Sequence, residues 1–194
     1  MYRFSHNIIY LLILGLGFGF ISCGQAKEPG NINEGAYIYK GDSIVRITFD
    51  TLRNTLARTI SERGVNGAVA YCKTNAKLLT ETYSGKSIHI SRVAAKYRNP
   101  ENKPDSFDIV QWNLYTDKKS RGDSLTSTVI SKGEMIYYYK PILLQPMCVV
   151  CHGEAGKDIS PDIVSRIDSL YPGDLARGFK PGDLRGMWKI AFKK

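Results

Sequence analysis

The sequence predicts an α+β domain, and three observations lead there. Two apolar stripes at three- and four-residue spacing run through its first half. Short β-rich segments separated by turn signals fill the second half. Hydrophobic residues make up 43% and charged residues 23% of the 194, a balance that supports one folded core. It excludes a disordered chain, a collagen and a multi-span membrane protein.

The N-terminus reads as an address. Met1–His6 carries Arg3 and no acid, and Ile8–Ile21 follows without a charge. Those 14 residues fall short of the about 20 that span a bilayer and match the roughly 7–15 of a secretion signal. The run ends in Phe20-Ile21-Ser22-Cys23-Gly24, which resembles the lipobox of bacterial lipoproteins, with Phe20 where Leu is usual. The resemblance implies a lipoprotein signal peptide over 1–22 and acylation of Cys23. An uncleaved anchor helix, or an ordinary signal peptide cut elsewhere, are the competing readings. Cleavage before Cys23 leaves 172 residues with a formal charge of +8. The protein is then exported and lipid-anchored to a bacterial membrane, facing the periplasm or the cell exterior. A basic surface there favours anionic lipid or an acidic partner within a Debye length of about 8–10 Å, and not nucleic acid.

Residues 23–44 are rich in Gly, polar and charged residues and read as a flexible tether, with the domain occupying 45–194. Phe49, Leu52, Leu56 and Ile60 recur at helical spacing until Gly64; Val65, Ala68, Val69, Cys72, Ala76 and Leu79 form a second stripe until Ser84-Gly85. This predicts helices over 48–63 and 66–82. Residues 87–93 alternate, with Ile88 and Ile90 opposite His89, as in a strand. Residues 97–105, full of Pro and Asn, form a loop, and 107–115 look helical. Residues 125–130 and 135–144 are β-rich around Lys132-Gly133, a hairpin signal. Ser160 and Pro161 open a short helix over 161–170, and 186–192 closes the chain as a strand.

One motif carries chemistry. Cys148-Val149-Val150-Cys151-His152 is C-x-x-C-H, the attachment signature of c-type haem. Two thiols three positions apart on one turn reach both vinyl groups of a porphyrin, and the next residue supplies its imidazole to the iron. Such attachment takes place outside the cytoplasm, where the N-terminal signal sends the chain. A disulfide, a thioredoxin-like motif and half a zinc site compete. The thioredoxin motif sits early in its domain, and a zinc site needs a second Cys pair that the mature chain lacks. One covalent haem c is the expected cofactor. After signal removal the candidates for the opposite axial position are Cys72, His89, Met135, Met187 or none, because Met147 adjoins the attachment turn. Ligand chemistry weighs Cys72 and His89 equally.

Further residues carry a family resemblance. Ala70-Tyr71-Cys72 with Ala76, then Arg92, then residues 97–105 (YRNPENKPD), Tyr138-Tyr139-Lys140-Pro141 and the C-x-x-C-H-G turn resemble a family of bacterial single-haem c-type domains with a PAS-like fold. Residues 171–176 (YPGDLA) and 182–186 (GDLRG) match it as well. The resemblance implies a PAS-like antiparallel sheet with long N-terminal helices and one covalently bound haem. It also implies Cys72 as the second axial ligand opposite His152. Members of the family occur as stand-alone exported proteins and as sensor portions of signalling receptors.

Arg92 and Arg98 are the expected partners of the haem propionates, since guanidinium forks suit carboxylates. The competing reading of each is a loop-bracing arginine. Tyr138 faces opposite to Tyr137 and Tyr139, and one side packs on porphyrin or both are core. No catalytic constellation is visible, and nothing assigns Glu154 or Asp158 to acid–base work. The expected function is a non-enzymatic redox or small-gas sensing haem module with His/Cys ligation. The alternative is a periplasmic electron-transfer cytochrome. With no kinase or receptor segment after Lys194, either role needs a redox or signalling protein partner.

Overall fold

The computed structural model describes residues 32–194; the expected signal peptide over 1–22 and the expected lipidation site Cys23 lie outside the described residues. The first helix, α1 (Glu34–Glu81), is two arms joined at Gly64, whose φ of 65° and ψ of 178° are non-helical. That backbone region is open almost only to glycine. Leu52, Leu56, Cys72 and Ala76 line one small gap. Each lies eight or twelve residues from Gly64, so the chain reverses there and the arms lie side by side.

The helix begins well before the predicted 48. Asn33 is its N-cap and accepts from the Ala36 N–H at 3.0 Å. Residues 34–44 therefore belong to the domain, which corrects the second half of the expected 23–44 tether. The reason is tertiary. Gly41 lies so close to the Tyr138 ring that a Cβ would come within 2.4 Å of it. Asp42 accepts from Tyr138 at 2.6 Å, Lys140 at 2.6 Å and Ser127 at 2.9 Å. A Gly/Asp pair in a polar stretch looks like linker until the sheet beneath it is seen.

Four strands follow: β1 (Ile88–Val93), β2 (Thr128–Lys132), β3 (Met135–Leu143) and β4 (Leu184–Lys193). They pair antiparallel in the order β1-β4-β3-β2. Gly133 and Glu134 form the expected hairpin turn between β2 and β3. Between β1 and β2 lies α2 (Ser106–Ser120), entered through an Asp105/Asp108 capping box. After β3 come the one-turn helix α3 (Val149–His152) and α4 (Pro161–Leu170). The fold is thus α+β with an antiparallel sheet, as predicted.

The sheet is buried on both faces because the strands alternate apolar residues to both. Ile90, Ile136, Tyr138, Trp188, Ile190 and Phe192 pack under the first arm of α1 around Val45. On the other face Val93, Tyr139 and Met187 pack against Tyr115 of α2. Each large side chain removed from water contributes about 1.5–3 kcal/mol, so this central layer dominates the stability. Tyr138 does face opposite to its neighbours, and both sides of the tyrosine row are core: Tyr139 donates to Asp108 at 2.7 Å while Tyr138 reaches Asp42. Finally α4 packs Ile163 and Ile167 on Val69 of the second α1 arm.

Candidate functional site

Between the two arms of α1, the start of β1 and the chain after β3 lies a cleft of about 490 Å³. That volume falls within the range of small-molecule and cofactor sites, about 300–1,000 Å³. Cys72 reaches it from the second arm, and Cys148, Cys151 and His152 from the opposite side. Leu52, Leu56 and Ala68 give it an apolar lining.

The chain is led there by the sheet. The β3–β4 register shifts between Ile142 and Leu143, which pair with Gly186 and Leu184 and leave Arg185 of β4 as the extra residue. Beyond β3 a 3₁₀ turn (Pro146–Cys148) runs into α3, so both motif thiols and the imidazole sit on about one and a half turns. The thiols of Cys72, Cys148 and Cys151 are free, and burial raises the Cys151 pKa to about 11. Gly153 closes the turn where a Cβ would meet the Asp158 side chain at 2.5 Å and the Val149 carbonyl at 2.7 Å. Asp158 accepts from the Glu154 N–H at 2.9 Å, which is a bracing role.

The loop 174–179 fixes the imidazole. His152 Nδ1 lies 2.8 Å from the Ala176 carbonyl oxygen. A carbonyl only accepts, so Nδ1 carries the proton and Nε2 keeps its lone pair. Burial, reinforced by the charges of Arg185 and Arg98, holds the His152 pKa well below its ordinary value. Phe179 N–H donates to the His152 carbonyl at 3.0 Å, and Gly178 N–H to that of Gly153 at 2.8 Å. A neutral imidazole with one nitrogen anchored to a carbonyl is how metal-binding histidines are oriented.

Asp174 organises this loop. Its carboxylate accepts from Arg98 Nε at 3.0 Å, Arg177 Nε at 2.7 Å and the Ala176 N–H at 3.0 Å. Burial works to raise its pKa, but these donors, Arg98 foremost, hold it below 3.8. Arg98 also donates to the Cys151 carbonyl at 2.6 Å. Arg98 lines the cleft, and with its Nε and one terminal nitrogen held by Asp174 it is also a strut joining the C-x-x-C-H turn to the Asp174 loop.

Arg92 is where the sequence places it, on β1 and in the cleft. One terminal nitrogen donates to the Ala76 carbonyl at 3.3 Å and the guanidinium lies over the Trp188 ring at 5.9 Å. Arg185 joins it from the start of β4, a residue that sequence reading quoted within GDLRG but gave no role. It donates to the Lys96 carbonyl at 3.0 Å and stacks over Phe179 at 5.2 Å. The buried Nε of each has no partner. An unpaired buried donor costs about 1–3 kcal/mol, more when charged. Burial first, then the charges of Arg98 and Arg92, bring Arg185 down to about 10. The signal available in advance was an arginine at the head of a strand whose next residues, Gly186 to Trp188, are uncharged.

Of the other axial candidates, His89 lines the cleft but is exposed, whereas Met135 and Met187 are not among its walls. Burial raises the Cys72 pKa, while Arg92 and Arg98 act to lower it. Among the described residues no three His, Cys, Asp or Glu side chains converge on a point that could hold a bare ion. The donors match a flat, largely apolar, anionic group: two thiols and an imidazole on one wall, a thiol on the facing helix, and two unpaired guanidiniums. A porphyrin with free carboxylates fits that set.

Fold and site together define a class: an α+β domain whose C-x-x-C-H turn is folded against a cofactor-sized cleft. The chain belongs to the Tll0287-like family, whose model matches residues 34–192. The solved structure of the cyanobacterial haem-protein Tll0287 is similar in fold, with a TM-score of 0.60 at 22% identity, over 82% of this chain and 96% of that one. No curated protein matches the sequence.

Proposed function

We propose that the protein is an exported, membrane-tethered c-type haem protein that acts as a redox or small-gas sensing module, and not as an enzyme. Cys148 and Cys151 hold the haem covalently, and His152 and Cys72 are its axial ligands. Acylated Cys23 is the anchor, and a redox or signalling protein is the partner. The observation that carries the reading is the convergence of Cys72, Cys148, Cys151 and His152 on one cleft, with His152 Nε2 left free. The haem-protein named among the similar structures supports it.

Bound there, haem supplies a one-electron couple and a coordination position that can exchange. His152 is the fixed ligand, because Ala176, Phe179 and Gly178 hold its ring and backbone. Cys72 is the exchangeable one: as thiolate it favours the oxidised metal and is held less well after reduction. Release of Cys72 would free the second arm of α1, which joins the first through the non-helical Gly64, and would leave room for a small ligand. That converts redox state into helix position.

The test is an optical and EPR comparison of parent and Cys72→Ala, both produced with cytochrome maturation machinery. A low-spin thiolate signature lost in the variant supports the assignment; unchanged spectra in both redox states refute it. A colourless parent with no tetrapyrrole adduct by mass refutes the haem reading itself. One feature favours the electron-carrier alternative: Leu143 and Met147, both exposed, line the cleft and leave an apolar surface for a partner protein there. Fast exchange that salt slows, with ligation unchanged on reduction, identifies a carrier.

A further inference from the structure

We propose that Arg92 and Arg185 form a half-buried two-guanidinium site that takes the carboxylate edge of the tetrapyrrole, one guanidinium to each propionate. The inference rests on the haem reading above and assigns the anionic end of that same cleft. Three geometric facts carry it. Each guanidinium is held in plane by an aromatic face, Trp188 at 5.9 Å and Phe179 at 5.2 Å. Each is oriented by a backbone carbonyl, Ala76 at 3.3 Å and Lys96 at 3.0 Å, which is neutral and leaves the positive charge uncompensated. Each keeps a buried Nε with no acceptor.

Protein acids do not fill the gap. Asp174 is engaged by Arg98, Arg177 and the Ala176 N–H, and Glu101, in the cleft wall, pairs with Lys77 at 3.1 Å. Two half-buried cations without an ion-pair partner in one cleft call for two anionic groups from the ligand, and a planar fork is the donor that suits a carboxylate. Arg98 differs from both, because its Nε and one terminal nitrogen are bound to Asp174 and its charge is matched there.

The test uses the matured holoprotein as parent, R92Q, R185Q, R185K and the remote control R121Q, whose arginine pairs with Asp123 on the surface. Mass and pyridine-haemochrome spectra report the covalent adduct, electrochemical titration the reduction potential, and resonance Raman the propionate bending modes. R92Q and R185Q are expected to keep the adduct and to lower the potential, because loss of a nearby positive charge favours the oxidised metal. Freed from its guanidinium, a propionate pKa rises by about one to three units, so the potential becomes pH-dependent where the parent is flat. R185K restores part of the parent behaviour and R121Q changes nothing. A haem-loaded parent whose R92Q and R185Q variants keep its potential, pH profile and propionate modes overturns the assignment and leaves the haem reading standing. A parent without haem overturns both.

Discussion

Replacing Asp174 by asparagine probes the loop that holds the imidazole. The Asp174 side chain is 1% exposed and that of Arg98 12%, so this ion pair is largely shielded from solvent. Removing one partner of a buried pair costs about 3–5 kcal/mol, mostly by leaving the other charge unmatched. In a domain of this size each kcal/mol moves Tm by about 2–4 °C, which gives a drop of roughly 6–20 °C. Urea unfolding of the holoprotein at pH 7, with thermal melting beside it, measures the loss. The acid limb is a second readout. The folded-state pKa of Asp174 lies below 3.8, so the unfolded chain binds its proton more readily. Its stabilisation is complete above the unfolded value and disappears as pH falls through the folded one. Asp174→Asn removes that part of the acid dependence. A loss under about 1 kcal/mol with an unchanged acid limb would refute the bracing role and, with it, the account of how His152 is held.

Two other substitutions test the frame around the cleft. Gly41→Ala puts a methyl into the Tyr138 ring, which Asp42 and the core hold in place, and is expected to cost about 1–3 kcal/mol in urea unfolding; a neutral result would mean that residues 34–44 are not docked on the sheet. Gly64→Ala forces an L-residue into φ 65°, ψ 178°, a cost of about 1–3 kcal/mol, and is expected to alter the haem spectrum as well, because the second arm carries Cys72.

The order of helices and strands was legible because core positions recur with the period of each element. The stripe from Val65 to Leu79, the hairpin at Gly133 and the Ser160-Pro161 helix start each follow from local rules. The C-x-x-C-H turn was legible for the same reason: its chemistry depends on spacing within one turn. The start of the domain was not. Residues 34–44 owe their helix to Tyr138 and Lys140, about a hundred positions away, and a polar stretch carries no local trace of such partners.

By itself, then, the sequence determined what is local: the periodicity of the elements, the position of the two attachment cysteines and His152, and a spare Cys72 on a helix face. Only the tertiary structure decided which arginine does what. Arg98 and Arg185 are both arginines beside turn-rich segments in one dimension; in three, Asp174 captures Arg98 while Arg185 remains without an ion-pair partner over Phe179. Charge pairing depends on distances that chain connectivity does not encode, so the division between a paired and an unmatched arginine exists only in the folded molecule.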